Sequence, residues 1–220
     1  MIIDNTYFKG EIYLPFSAPS VSDDIKKVEG DVKEFINDYA REVLLKSLGT
    51  TLFLEFEQQL NDSEPNGLIP SADSKWDDLL NGVAYTNPEG EDVIWRGIRF
   101  KSKASGDYNR SFIANYVYFY YESDSFITRS SIGNQIQMGK NSETIIPNQK
   151  VVKSWNKFVN LVQGDYVKPQ LVRGIGIDYF NEGGSDVSLY KFINDSNTLV
   201  EDTYEGFNPK TWAELNQFGL

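Results

Sequence analysis

The sequence predicts an α+β fold that is predominantly α: a helical core with an inserted β-hairpin and a long irregular loop, followed by a C-terminal appendage. Three observations predict it. Apolar residues recur at helical spacing in 31–48, 112–120 and 151–162; the period changes to strand-like runs in 83–86 and 93–100; and 126–147 has little periodicity but many Ser, Gly, Asn and Gln residues. A chain of 220 residues with 40% hydrophobic side chains suffices for one domain, or for one domain plus an appendage. The expected division places the helical core with an N-terminal arm in 1–164 and the appendage in 165–220.

Taken in order, residues 1–20 carry Ile2, Ile3, Tyr7, Phe8, Ile12, Tyr13 and Leu14 around Gly10, closed by Pro15 and Pro19, which predicts an extended arm with short strands. Val32, Phe35, Ile36, Tyr39, Val43 and Leu44 then define the strongest helix, with Asp31 as its cap and Gly49 at its end. Thr51 is placed to cap a second helix through Leu60, so the two form a hairpin. Ser74-Lys75-Trp76-Asp77 resembles a capping signal for a short helix closed by Gly82. The runs 83–86 and 93–100 flank the turn residues Asn87-Pro88-Glu89-Gly90 and read as the hairpin.

Phe112, Ile113, Tyr116, Val117 and Tyr120 mark a helix starting near Asn109 or Ser111, and Tyr118 and Tyr121 make it apolar on more than one side, as in a helix buried between neighbours. Strand pieces are expected at 126–128 and 135–138 within the irregular loop. Asn148 is placed to cap a helix carrying Val151, Val152, Trp155, Phe158, Val159 and Val162, with Gly164 beyond it. Beyond an apolar run at 171–180 and a Gly183-Gly184 break, a short helix is expected around 187–193. A terminal one is expected with Asn208 as cap and Pro209 at its first position.

The chain has no Cys and no His. Thiol chemistry, disulfides, the commonest general base and the usual zinc ligand are therefore all missing, and no cofactor or metal is expected. The remaining catalytic routes are carboxylate pairs, Lys or Tyr bases and oxygen-ligated metals. Asp23 with Asp24, Asp77 with Asp78, and Glu89 with Glu91 and Asp92 are the acidic clusters, but adjacent acids on a helix point about 100° apart and do not face each other. Gly174-Ile175-Gly176-Ile177 lacks the third glycine and following helix of a dinucleotide site, and 181–186 does not match a calcium loop. A dyad assembled from distant carboxylates stays open, and with the many aromatics it keeps a carbohydrate-binding or glycoside-cleaving protein as the alternative function.

No run approaches the roughly 20 apolar residues of a membrane span, nor does the N-terminus read as a signal peptide, so aqueous compartments are expected. The formal charge of −11 opposes general binding to nucleic-acid phosphates. Against it stands a local reversal of sign: Arg96, Arg99, Lys101, Lys103 and Arg110 share a segment whose only acid is Asp107. These cations suit contact with the acidic face of an adjacent subunit, or a solvated hairpin edge whose charges deter aggregation.

The order of several motifs resembles the head-to-tail connector proteins, adaptor or neck ring proteins, of crAss-like and other Bacteroidetes-infecting tailed phages. The motifs are Asn5-Thr6-Tyr7-Phe8-Lys9-Gly10 with Leu14-Pro15; Phe35-Ile36-Asn37-Asp38-Tyr39-Ala40-Arg41-Glu42 leading to Leu44-Leu45-Lys46-Ser47-Leu48-Gly49; and Lys75-Trp76-Asp77-Asp78-Leu79-Leu80-Asn81-Gly82. Trp95-Arg96-Gly97, Ile113-Ala114-Asn115-Tyr116-Val117-Tyr118 and Lys150-Val151-Val152-Lys153-Ser154-Trp155-Asn156 follow, the last reached through a loop at 128–133. The resemblance covers about residues 1–162 and implies a non-enzymatic virion protein. Such a subunit is assembled in the host cytoplasm as a ring, commonly a dodecamer, between portal and tail. It implies copies of itself, the portal and other neck or tail proteins as partners, with transient, non-specific passage of DNA and no membrane. The arm (Tyr7, Phe8), the 126–147 loop (Phe126, Ile127, Ile132, Met138), the basic cluster and the appendage are then the expected contact segments, as the parts least able to form their own core.

Overall fold

The apolar stripe that predicts the first long helix becomes the floor of the core. α1 (Asp23–Leu48) buries Val32, Ile36, Ala40, Val43, Leu44 and Leu48 along one face and keeps Phe35 and Tyr39 half-buried beside it. The structure, a computed structural model, describes residues 2–14, 23–101, 109–125, 127–130, 133–136, 148–167 and 186–215. Asp31 lies inside α1 rather than at its cap, because the helix already runs from Asp23 through Gly30. The arm forms no strands over 2–14. It makes two 3-10 turns, Asn5–Tyr7 and Gly10–Ile12, the first capped by Asp4.

Gly49 ends α1 and caps α2 (Thr50–Gln59) at φ +86, the role expected of Thr51. A Cβ there would lie 2.8 Å from the Asn208 carbonyl oxygen, so the glycine also lets the C-terminal segment cross. The hairpin of α1 and α2 is bridged by Arg41, which donates to both oxygens of Glu57 at 2.9 and 3.2 Å. In α3 (Ser74–Asn81) the cap is Asp73, not Ser74: its Oδ1 accepts from the Lys75 N–H at 3.1 Å, and Trp76, Leu79 and Leu80 turn inward.

β1 (Val83–Thr86) and β2 (Asp92–Trp95) form the expected antiparallel hairpin, with Val83 opposite Trp95 and Thr86 opposite Asp92. Asn87 fastens the turn, its Oδ1 accepting from the Glu91 N–H at 2.7 Å. The second strand stops at Trp95 because the chain bends at Gly97. The Ile98 and Arg99 N–H groups then satisfy the last carbonyls of α3, Leu79 and Leu80, at 3.1 and 3.0 Å. β3 (Phe100–Lys101) pairs with β4 (Asn109–Arg110). Ser111 opens α4 (Phe112–Ser125), accepting from the Ile113 N–H at 3.1 Å and donating to the Ile98 carbonyl at 2.6 Å.

Within the stretch read as an irregular loop, β5 (Ile127–Ser130) and β6 (Gly133–Ile136) form an antiparallel pair. α5 (Asn148–Val167) runs on through Gly164, and α4 is packed between α1 and α5. That burial on two sides matches its many-sided apolar surface. α6 (Leu189–Leu199), capped by Ser188, packs on α5. The chain is thus mixed α+β and mainly helical.

The C-terminal third differs most from expectation. Its described part, 186–215, is no separate body: Val187, Leu189, Tyr190, Phe192, Ile193 and Tyr204 belong to the same buried cluster as Ile3, Phe8 and Val117. Asp186 bridges to Ile94, and the Val187 N–H donates to the Ile94 carbonyl at 3.0 Å, extending the edge of β2. The helix expected from Asn208 does not form over 208–215: the Asn208 and Lys210 N–H groups donate to the Leu48 and Lys46 carbonyls at the end of α1, at 3.2 and 2.8 Å, and Trp212 to Leu215 bond to side chains of α5. Gly174 to Ile177 and 181–185 lie outside the described residues.

Candidate functional site

Among the described residues, the expected contact residues do not form one surface. Tyr7 is 3% and Phe8 0% exposed, so both are sealed in this chain's own core and are corrected from interface to core residues. Arg96 donates to Asp186 at 3.0 Å with both side chains largely buried, and its guanidinium lies 5.6 Å from the Phe100 ring centroid. Arg99 turns the other way, is 9% exposed, and donates to Asn81 Oδ1 at 2.9 Å. Burial draws its pKa below the ordinary arginine value, opposed by Tyr7 and Asp77. Arg110 is half-buried in β4 beside a cavity. Lys101 and Ile127 sit on β3 and β5, while Lys103, Phe126, Ile132 and Met138 lie outside the described residues. Arg96 and Arg99 therefore serve as internal fasteners rather than as a patch, since each meets a partner from a distant segment.

The solvent-facing cations sit elsewhere. Lys150, Lys153 and Lys157 follow one another along α5, and Glu11 from the second 3-10 turn accepts from Lys153 at 2.5 Å and from Lys157 at 3.2 Å. Those two cations hold the Glu11 carboxyl below its ordinary range, the Lys153 hydrogen bond being the larger cause. These lysines were not singled out from the sequence, although their spacing on a helical segment is the signal that could have found them. Lys157, together with Lys9, Glu11 and Arg110, lines a cavity of about 310 Å³.

An aromatic array runs from the core to the surface through α1, α4 and α5. Tyr116 is fully buried with ring centroids of Tyr120, Phe158, Trp212, Trp155 and Tyr39 between 4.8 and 6.1 Å away. Its hydroxyl donates to Glu42 at 3.2 Å, and burial pushes its pKa strongly upward. Outward from it, Tyr39 and Tyr120 stack at 4.4 Å and 9°, followed by Phe35 and Tyr121, all half-buried. Burial, then the charges of Glu42, Asp124 and Asp38 together with Tyr120, raise the Tyr39 pKa; the face is aromatic with an acidic rim.

The segment 212–215 closes this array, its backbone held by side chains of α5. Gln163 Oε1 accepts from the Trp212 N–H at 2.7 Å while its amide donates back to the Trp212 carbonyl. Asn156 does the same for Leu215, with both bonds at 2.8 Å. Trp155 Nε1 donates to the Ala213 carbonyl at 2.8 Å, and the Trp212 ring enters the aromatic array against Phe158 at 5.0 Å. Two side-chain amides thereby supply the backbone bonds that a helix would have supplied.

The acidic clusters are engaged or apart. Asp77 accepts from Asn81 at 2.7 Å, Glu89 meets Lys191 at 3.3 Å, Glu91 accepts from Asn87 at 3.2 Å and Asp92 from Thr86 at 3.0 Å. Among the described residues, no group of three or more acids converges to hold a metal ion, and no helix is long and apolar enough to cross a membrane. Burial raises the Asp78 carboxyl above its ordinary value, reinforced by Asp77 and Asp73. The folded group then keeps its proton to higher pH than the unfolded chain does. Stability therefore falls as pH rises from the ordinary Asp value through the raised one, and the loss is complete at neutral pH. Asp78→Asn is expected to stabilise the protein at pH 7 by no more than about 1 kcal/mol, given its partial exposure, with the gain vanishing near pH ~3. Urea denaturation at the two pH values checks it.

No protein-family model, curated protein or solved structure matches the chain.

Proposed function

We propose that this chain is a structural subunit that assembles with copies of itself into a ring in the neck of a tailed-phage virion. There, between portal and tail, it provides a channel for genome passage and a docking surface for adjacent neck proteins. The observation that carries the reading is the half-buried aromatic face of Phe35, Tyr39, Tyr120 and Tyr121 with its rim of Asp38, Glu42 and Asp124. Large rigid rings at partial exposure give contact area at low entropic cost, the composition favoured at protein interfaces. The motif order over residues 1–162 supports the connector class. The charge of −11 suits a wall past which DNA slides without being gripped.

The carbohydrate alternative has less support, because the stacking of Tyr39 on Tyr120 spends on each other the ring faces a sugar would need. Negative-stain imaging and light scattering of the purified chain are expected to give ring-shaped oligomers, and co-expression with portal and neck proteins to give co-purification. Phe35→Ser is expected to weaken assembly about tenfold, the effect of roughly 1.4 kcal/mol at an interface anchor, with the fold retained. A chain that stays monomeric, fails to co-purify and cleaves a glycoside overturns the reading.

A further inference from the structure

From Phe207 onward the chain is held as a bound peptide is held, by a groove rather than by its own secondary structure. The Asn208 and Lys210 N–H groups donate to the Leu48 and Lys46 carbonyls at 3.2 and 2.8 Å. Gln163 and Asn156 each make two bonds to the backbone, of Trp212 and Leu215 respectively. Such bonds read no side chain. Specificity comes from Trp212, whose ring packs on Phe158 and Tyr116 at 5.0 and 5.8 Å and whose indole donates to Tyr190 at 3.1 Å. Backbone bonds that give affinity and a pocket for one side chain are the two halves of peptide recognition.

The occupant is tethered at a fixed point and shallowly buried beyond it. Tyr204 is 1% exposed, its hydroxyl donates to the Lys75 carbonyl at 2.7 Å, and its N–H donates to Asn197 at 2.6 Å. Past Gly206, at φ +77, none of residues 207–215 is fully buried. A strip with few buried contacts opens locally at low cost. Lifting it uncovers the rings of Tyr116, Trp155 and Phe158, so an emptied groove favours a replacement. The stretch from Gly206 to Trp212 reaches up to about 20 Å, enough to enter the same groove on an abutting copy. There it remakes the bonds it left, which makes exchange of identical elements a low-cost route to association. We propose that the groove along α5 takes the 207–215 segment of a second copy, so that adjacent subunits are latched by exchange. This inference rests on the self-assembly proposed above.

A synthetic peptide of residues 207–215, added in excess to oligomers of the full chain, tests the exchange without any variant. Light scattering is expected to show the oligomers dissociating as the peptide fills the grooves. The same peptide carrying Trp212→Ala is expected to need at least about tenfold more. Mixing gives a second reading. In the full chain, Trp212→Ala keeps the groove, whereas Asn156→Ala with Gln163→Ala keeps the segment. Each alone is expected to lose the oligomer and the two together to form mixed pairs, with circular dichroism checking that both are folded. Oligomers untouched by the peptide, a Trp212→Ala chain that assembles as the wild type does, or a mixture no more associated than its parts overturns the exchange and leaves ring assembly standing. A wild-type chain that never self-associates overturns both.

Discussion

Tyr116→Ala is expected to cost about 4 kcal/mol, within the range measured for removing a large buried aromatic side chain. The ring sits where α1, α4, α5 and the C-terminal segment meet, against Tyr39, Tyr120, Trp155, Phe158 and Trp212, and is itself fully buried. No neighbour can collapse into the void without leaving its own stack, so both the transfer loss and the cavity remain. Tyr116→Phe keeps the ring and removes only the hydroxyl donated to Glu42 at 3.2 Å, with an expected cost of about 1 kcal/mol. Urea unfolding followed by tryptophan emission reads both, because Trp155 and Trp212 lie in the same array. A loss under about 1 kcal/mol for the alanine variant would show that the array is not what holds these elements together.

Much of this architecture was legible because it is local. The 3.6 period of Val32, Ile36, Val43 and Leu44 fixes one buried face of α1, and the Asn87 to Gly90 turn sets the hairpin register through bonds made within a few residues. The apolar girth of α4 read correctly as a helix with neighbours on two sides. What failed was decided by distant partners. Asn208-Pro209 carries a sound helix-start signal, yet Gln163 and Asn156 capture the backbone of Trp212 and Leu215, and Tyr190 accepts from the Trp212 indole at 3.1 Å. Local propensity yields where tertiary bonds satisfy the same groups.

The candidate site was less legible, for the same reason. Arg96 and Arg99 share a charged stretch, but burial beside Asp186 and Asn81 removes them from the surface. The aromatic face was foreshadowed only by composition, since Phe35 and Tyr39 come from one helix and Tyr120 and Tyr121 from another. Lys150, Lys153 and Lys157 did carry a visible helical spacing. Their pairing with Glu11 depended on where the N-terminal arm crosses α5.

Gly97→Ala is the second substitution expected to cost about 4 kcal/mol, from a left-handed backbone strain of 1–3 kcal/mol added to overpacking of 1–3 kcal/mol. Gly97 stands at φ +88, and an added Cβ would lie 2.6 Å from the Asn81 carbonyl carbon and the Gly82 nitrogen. These are backbone atoms, with no flexible side chain to move aside. Gly82 faces it at φ +92 with its own Cβ position 2.5 Å from the Arg96 carbonyl carbon, so the end of α3 and the exit from β2 touch backbone to backbone. That contact lets the Ile98 and Arg99 N–H groups and the Trp95 indole reach the Leu79 and Leu80 carbonyls. Forcing it apart unsatisfies the helix end and displaces Arg99 from Asn81 together. Gly90→Ala is the control: φ is +83 and nothing lies within 4 Å of the added atom, so only conformational strain of about 1 kcal/mol is expected. The difference between the two variants in urea measures the backbone contact itself, and equal losses would mean that α3 and the hairpin are not held there.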